Sequence, residues 1–199
     1  MATGELSLSL KLVFKTVVQG LSLVITLPFA VLAGFGNFSL MFTMFAHFFA
    51  LLPGLPGDYL RVAYYVLTLR RCSLYSRISF GSFFAQSSAT VGNGVYIGGY
   101  CVLGGCDIGD RTQIATHVQI LGGRHQHARG TDGRIMGAKE DEFEHIVIGA
   151  DCWIGASAIL MADIGSGTTI GAGAVVTRPI PTRVVAVGNP ARTLERVIP

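Results

Sequence analysis

An aliphatic residue followed by a small one recurs through the second half of the chain, and most steps between recurrences are six residues long. A six-residue period is too long for one face of an α-helix and does not match the alternation of an ordinary strand. It predicts a solenoid of short parallel strands, in which three hexads complete one triangular coil and each aliphatic side chain points inward. The pairs are Val91-Gly92, Ile97-Gly98, Leu103-Gly104, Ile108-Gly109, Ile114-Ala115, Ile148-Gly149, Ile154-Gly155, Ile164-Gly165 and Ile170-Gly171.

Apart from the gap between Ile114 and Ile148, two steps depart from six residues, and glycine predominates at the small position. The steps are five from Leu103 to Ile108 and ten from Ile154 to Ile164, so the coil has to absorb both. Glycine is expected beside the aliphatic residue because the chain bends sharply at each corner. The stacking of coil on coil would supply nearly all of the stability.

The first third of the chain is apolar and has no such period. The 42 residues from Thr16 to Gly57 contain no Asp, Glu, Lys or Arg, which is about twice the ~20 needed to cross a bilayer once. The break near Gly34 to Asn37 predicts a turn between two apolar arms. We therefore predict an α-helical membrane hairpin over residues 1–57. Its second arm, Phe38 to Leu52, is short for a full span, so a re-entrant hairpin in one leaflet stays open.

Basic residues flank the hairpin on both sides, which predicts that both ends lie on the cytoplasmic side of the inner membrane. An alternative is a cleaved signal peptide, with Ala30 to Ala33 near the cleavage site. A second apolar segment directly afterwards argues against that alternative. The flanking residues are Lys11, Lys15, Arg61, Arg70, Arg71 and Arg77.

Residues 58–77 are predicted to form a helix and linker that connect the hairpin to the solenoid. Asp58 would be the N-cap, with arginines in the last turn. Tyrosines and arginines among aliphatic residues favour a position at the membrane interface.

Composition limits the classes of function. Hydrophobic residues make up 50% of the chain and charged ones 14%, against a usual charged share of roughly a quarter. A net charge of +3 is too small to argue nucleic-acid binding.

The four cysteines show no metal-binding spacing, and we expect reduced, packed thiols. They are Cys72, Cys101, Cys106 and Cys152.

A polar loop, Gly122 to His145, interrupts the repeat with "GGRHQHARGTDGR". It is too long and too polar for a turn between coils, and a compact domain seldom keeps an unstructured loop of over ~15 residues without a use for it. We therefore expect it to carry functional residues.

The hexads, together with "CWIGASAIL", "IGAGAVVTRPIP" and "AVGNPAR", closely resemble the hexapeptide-repeat acyltransferases, which include galactoside and polysaccharide O-acetyltransferases. The resemblance covers about Ile78 to Ile198. It implies a left-handed parallel β-helix over residues 78–199 with the loop 122–145 inserted. It also implies a homotrimer with active sites between neighbouring prisms, and acetyl-CoA as the acyl donor.

The same resemblance places the catalytic base at His125 in "ILGGRHQH", with His127 as the competitor. A neutral imidazole can take the proton of a sugar hydroxyl as the hydroxyl attacks the thioester, which is typically worth ~100- to 10,000-fold in rate. His117 is expected to face outward with a structural role, His145 marks the return of the loop, and the role of His47 stays open.

Donor-binding residues follow from the resemblance by position. Trp153 would offer a flat apolar surface, and the backbone at Ala156 and Ala172 would face the pantetheine arm. Thr177 and Arg178 would lie near the nucleotide end, since a guanidinium suits phosphate. Arg192 could act likewise. On the acceptor side the candidates are Asn93 and Arg124.

These observations predict a membrane-associated acetyltransferase that modifies a hydroxyl of a saccharide or a lipid-linked saccharide, with membrane lipids as partners, no nucleic acid and no metal. One alternative is a γ-carbonic-anhydrase-like zinc enzyme that uses His117, His125 and His127. Another is a non-catalytic trimeric membrane scaffold.

Overall fold

The computed structural model describes residues 2–122, 129–137 and 144–194, with side chains from Leu12 onward. Three helices precede a parallel β-solenoid. They are α1 (Ala2–Leu32), α2 (Ser39–Ala50) and α3 (Gly54–Thr68), and a 3-10 turn at Gly34–Gly36 joins the first two. The turn lies where the sequence predicts it, and Phe35 adopts a positive φ of 52° there.

The predicted solenoid is confirmed, and it has three faces. Face A contains β1 (Arg71–Cys72), β4 (Thr90–Val91), β7 (Cys106–Ile108) and β10 (Ile146–Ile148). Face B contains β2 (Arg77–Ile78), β5 (Tyr96–Ile97), β8 (Gln113–Ile114), β11 (Trp153–Ile154), β13 (Thr169–Ile170), β15 (Val185–Val187) and the antiparallel β16 (Arg192–Leu194). Face C contains β3 (Phe83–Phe84), β6 (Val102–Leu103), β9 (Gln119–Ile120), β12 (Ile159–Leu160) and β14 (Val175–Val176).

The aliphatic residue of each hexad points inward and is buried, as predicted. Parallel pairing keeps these residues in register from coil to coil, so that Ile97 lies beside Ile114 and Ile114 beside Ile154. The ten-residue step is a six-residue step to the buried Leu160 followed by a four-residue step to Ile164. It is therefore a short corner between faces C and A.

The prediction about glycine is right about position and wrong about cause. Gly109 and Gly155 do not have a positive φ. A Cβ at Gly109 would lie 2.4 Å from the backbone N of Ala150, and one at Gly155 would lie 2.4 Å from the backbone N of Ala172. Glycine is required at these positions because the next coil stacks directly on them. Residues with a left-handed backbone conformation lie at other positions of the coil, such as Arg111 and His117.

The solenoid begins earlier than predicted. The first coil contains Ile78 and Phe84 as its inward residues and starts at Arg71, inside the predicted linker. The repeat is hard to see there because Ser79 and Ala85 take the places of glycine and an aromatic residue replaces an aliphatic one.

Helix α3 covers the first coil, and the predicted N-cap of this helix is wrong. It begins at Gly54, so Asp58 lies inside the helix and not at its N-cap. Tyr64 and Tyr65 are fully buried, so these two side chains face the protein interior, and the predicted interfacial position of the segment stays a prediction. The Tyr65 hydroxyl accepts the Phe84 N–H at 3.0 Å, and burial raises the pKa of both tyrosines.

A buried arginine joins the helices to the solenoid. Arg61 donates to the carbonyl oxygens of Leu52 at 2.7 Å and Ile78 at 2.9 Å, and it forms an ion pair with Asp58. Asp58 also accepts from Arg77 Nε at 2.7 Å. A buried guanidinium needs these acceptors because an unpaired buried charge is costly.

In helix α1 small residues are buried and most large apolar residues are exposed, which is the reverse of a helix in a water-soluble protein. The buried positions of α1 are Ser22, Thr26 and Ala30, which recur every four residues. Most of its large apolar residues are exposed, as are several of α2, whereas Phe29 packs against α2. The exposed ones are Leu12, Val13, Phe14, Val17, Leu21, Val24, Ile25, Leu27, Val31, Leu32, Leu40, Met41, Met44 and Phe48, and we call them the outer apolar face.

All four cysteines lie in the described part of the chain, and none is paired in a disulfide. Cys101, Cys106 and Cys152 are buried, and burial raises the pKa of each thiol. The expectation of packed thiols is confirmed for these three.

Candidate functional site

The polar loop leaves the solenoid at the end of face C and returns at the start of face A. His125, His127 and Arg124 lie outside the described residues, so the two favoured bases and one acceptor residue stay predictions. Between the undescribed segments, Arg129 and Ile135 form an antiparallel bridge around a turn, and Ile135 is exposed. The middle of the loop therefore folds back on itself.

His145 lies where the loop rejoins the solenoid, and an acidic residue holds it there. Its Nε2 is 3.1 Å from Oδ2 of Asp107 on β7. The Asp107 Oδ1 accepts from the Thr90 hydroxyl and, at 2.8 Å, from Arg70 Nη2. Partial burial works to raise the pKa of Asp107, but hydrogen bonds from Thr90, His145 and Arg70 outweigh it and hold this pKa below its usual range.

The partner of His145 could not be predicted from the sequence. Asp107 comes directly before an inward isoleucine and is 38 positions away from the histidine, so spacing gives no signal. The two meet because β7 and β10 are neighbours on face A, with Val147 opposite Asp107.

Two clefts open beside His145. One has a volume of about 300 Å³ and is lined by Glu144, His145, Met161, Asp163 and Thr177, among others. The other has a volume of about 240 Å³ and includes Ser39 of α2 with Gln86 and Ser88. The structure thus brings Thr177, a predicted donor residue, into the same cleft as His145. Arg178 follows Thr177 and is exposed.

The remaining donor candidates lie on face B and its edge with face C. Trp153 is 61% exposed on the outer side of face B, between Gln113 and Thr169, so it is not a packed core residue. Ala156 and Ala172 lie on two adjacent coils. The Gly173 N–H donates to the Ala156 carbonyl oxygen at 2.8 Å and so joins these coils.

Arg192 is exposed on β16, which pairs with β15 at the end of face B. The donor candidates therefore form two groups on one protomer, separated by face C. One group contains Trp153, Ala156, Ala172 and Arg192, and the other contains Thr177 and Arg178.

Asn93 lies away from both groups. It is exposed at the corner between faces A and B, where its Oδ1 accepts from the Ser73 hydroxyl at 3.0 Å. The loop leaves at a different corner, between faces C and A. Within one protomer, therefore, the structure does not bring Asn93 to the base of the loop.

The other histidines have aromatic neighbours. His117 has a φ of 59° at a corner and stacks on Tyr100, with ring centroids 5.2 Å apart and an interplanar angle of 17°. His47 meets Phe83 edge-on at 4.4 Å. Among residues 2–122, 129–137 and 144–194, no group of three or more His, Cys, Asp or Glu is placed to hold a metal ion.

Comparison with known proteins identifies the repeat. Residues 145–178 match the bacterial transferase hexapeptide family (six repeats). The chain is 33% identical over 92 residues to a candidate acetyltransferase of Schizosaccharomyces pombe, covering 45% of this chain and 42% of the relative. It is 33% identical over 94 residues to the galactoside O-acetyltransferase of Escherichia coli, covering 45% and 43%. The chain thus spans less than half the length of these curated relatives.

A solved structure supports the fold over more of the chain. The hexapeptide-repeat-containing acetyltransferase of Vibrio cholerae superposes with a TM-score of 0.59 at 17% identity, covering 83% of this chain and 92% of the other. The fold and the repeat together define the class: the chain is a hexapeptide-repeat β-solenoid protein, and it resembles the acetyltransferases of that class.

Proposed function

We propose that the protein is a membrane-associated O-acetyltransferase that moves an acetyl group from acetyl-CoA to a hydroxyl of a saccharide or a lipid-linked saccharide. The observation that carries the proposal is the match over residues 145–178, because it contains five of the six donor candidates. The similarity to the galactoside enzyme supports a sugar hydroxyl as the acceptor. The homotrimer, with sites in the clefts between protomers, belongs to the same proposal.

The described residues fit an acyl-CoA donor. An exposed indole at Trp153 offers an apolar surface, and exposed Ala172 with half-buried Ala156 leaves the backbone accessible to an amide-bearing arm. The exposed guanidinium of Arg178 can pair with phosphate. The donor would supply the acyl group as an activated thioester.

The reaction needs a base at the acceptor hydroxyl. The base takes the hydroxyl proton while the oxygen attacks the thioester carbonyl, and the C–S bond then breaks as the thiolate recovers the proton. His125 is our first candidate and His127 our second. His145 is the described histidine that shares a cleft with Thr177, and Asp107 fixes its ring orientation.

Membrane association is supported by the distribution of side chains in helix α1. In a water-soluble protein large apolar side chains face the core, whereas in α1 most of them are exposed and the buried positions are the small residues Ser22, Thr26 and Ala30. Leu12–Leu32 is 21 residues long and apolar enough to cross a membrane. Helix α2, with 12 residues, would extend only ~18 Å, which is too short for a second crossing. We place the outer apolar face in the bilayer and the solenoid on the cytoplasmic side of the inner membrane.

Binding of acetyl-CoA to the detergent-purified protein tests the donor site without knowledge of the acceptor. We expect saturable binding that weakens about tenfold or more in Arg178→Glu, because a charge-assisted contact to phosphate becomes a repulsion. Arg134→Glu, in the described part of the loop, is the control and should bind like the parent protein. An absence of binding at millimolar acetyl-CoA would contradict the proposal.

Turnover identifies the base. The assay measures release of free CoA thiol with galactosides, glucosides and lipid-linked saccharides as acceptors. It compares the parent protein with the variants His125→Ala, His127→Ala and His145→Ala. The variant that lacks the base should bind acetyl-CoA normally and lose ~100-fold or more of kcat. Full activity in both His125→Ala and His127→Ala would contradict the assignment of the base to these two histidines.

A further inference from the structure

A cavity between α1, α3 and the first coil lies outside the acetyl-transfer site. Its volume is about 260 Å³, and its polar lining comes from Lys15 and Gln19 of α1, Asp58 and Tyr59 of α3, and Ser76 and Arg77 of the first coil. The mechanism proposed above uses none of these residues. The cavity also requires α1, which the solenoid alone does not provide.

The charges around this cavity favour an anion. Asp58 is the acidic residue among its lining, and the buried Arg61 already neutralises it. Arg77 uses its Nε for Asp58, and more than half of its side chain is exposed. Lys15 lies over the Tyr75 ring at 5.1 Å, a contact that leaves its ammonium hydrogens available. The single carboxylate of Asp58 thus faces three cations, Arg61, Arg77 and Lys15, so a net positive charge remains at the cavity.

The rim of the cavity is apolar and continuous with the outer apolar face. Leu55 and Tyr75 line it, and each is more than 60% exposed. Leu12, three residues before Lys15 and therefore on the same face of α1, is exposed as well. A ligand that fits both parts has an anionic head for the cations and an apolar tail that continues along the rim.

We propose that this cavity binds the phosphate of an amphiphile, a phosphate ester carried on an acyl or isoprenoid chain. Lys15 and Arg77 contact the phosphate oxygens, while Leu55 and Tyr75 contact the start of the tail. Two sources offer this chemistry: an anionic phospholipid of the bilayer and the polyprenyl phosphate of a lipid-linked acceptor. The position of the rim rests on the proposed membrane association, but the binding itself does not depend on acetyl transfer.

The test uses the full chain in a non-ionic detergent and measures equilibrium binding of four probes. They are dioctanoyl phosphatidylglycerol, farnesyl phosphate, dioctanoyl phosphatidylcholine and inorganic phosphate. We expect the first two to bind and to compete with each other, and the zwitterionic lipid and inorganic phosphate to bind at least about tenfold more weakly. A preference for phosphatidylglycerol identifies a bilayer lipid as the source, and a preference for farnesyl phosphate identifies the acceptor carrier.

Three variants assign the binding to the cavity. Lys15→Gln and Arg77→Gln should each weaken binding about tenfold, and Arg134→Gln, which removes the same charge elsewhere, should not. Lys15→Gln removes no ion pair that the structure shows, so its result stands even if Arg77→Gln is less stable. Equal affinity of Lys15→Gln and the parent protein, or equal binding of phosphatidylcholine, would overturn the proposal. Loss of acetyl-CoA binding would leave this result unchanged, so the two proposals fail separately.

Discussion

At the scale of single residues, Asp107 shows how the base of the polar loop is held. Its carboxylate receives the Thr90 hydroxyl, Arg70 and His145, which come from three different coils or segments. These contacts stabilise the ionised form, which is why the pKa is below its usual range. The residue therefore joins the first coil to the point where the loop returns.

Because the folded-state pKa is lowered, Asp107 stabilises the fold at pH values above its ordinary pKa, and this contribution is lost as the pH falls through the lowered value. We expect Asp107→Asn to reduce the free energy of unfolding by about 1 kcal/mol at pH 7, since the contacts are partly exposed. The difference should shrink as the pH falls below 4. Urea unfolding of both proteins between pH 7 and pH 3 measures it.

Asp132→Asn, in the described middle of the loop, is the control and should show little effect at any pH. A difference between Asp107→Asn and the parent protein that grows toward acid pH would show that the carboxylate does not have the role assigned to it.

At the scale of elements, α1 and α2 present the outer apolar face while α3 covers the solenoid. The division follows from side-chain size, because Ser22, Thr26 and Ala30 let α1 approach α3 closely. Phe29 of α1 meets Phe45 and Phe49 of α2 at centroid distances of 5.2 and 5.3 Å. The helices are therefore packed on one side and open on the other.

We expect the double variant Leu21→Glu and Val24→Glu to abolish flotation with liposomes of phosphatidylethanolamine and phosphatidylglycerol. Both side chains are exposed on the outer apolar face, and a carboxylate within the bilayer is costly. The far-UV circular dichroism of the protein should not change, because both side chains are exposed. Leu194→Glu, an exposed leucine at the far end of face B, should still float. Flotation of the double variant would contradict the placement of this face in the membrane.

At the scale of the whole molecule, the two groups of donor candidates on one protomer are separated by face C. A trimer would bring the first group of one protomer near the second group of its neighbour, which is the geometry that the proposed site between protomers requires. Mass measurement in detergent tests the trimer, but a mixing experiment tests the shared site.

We expect co-expression of His125→Ala and Arg192→Glu chains, with one substitution in the polar loop and the other in the first donor group, to restore part of the activity that each variant lacks alone. If the base and the phosphate contact come from different protomers, some clefts in a mixed trimer contain neither substitution. Free-thiol release by the purified mixture measures the recovery, and mixing the two after separate purification is the control. Failure to recover activity in verified mixed trimers would place both residues in a site within one protomer.

The sequence by itself determined the solenoid, because inward aliphatic residues at a six-residue period bury a continuous core in one arrangement of coils. It also placed the helical turn, the insertion of the loop and the small residues of the coils. The sequence did not show why glycine is required at positions 109 and 155. The reason is the close approach of the next coil, which is a contact between residues distant in sequence.

Only the tertiary structure decided which charged residues meet. The pairing of Asp107 with His145, the burial of Arg61 beside Asp58 and the cavity at Lys15 and Arg77 depend on which strands and helices become neighbours. A repeat period fixes the shape of a coil because each hexad repeats the same local packing. The repeat period does not determine at which corner of the solenoid two particular polar side chains come into contact.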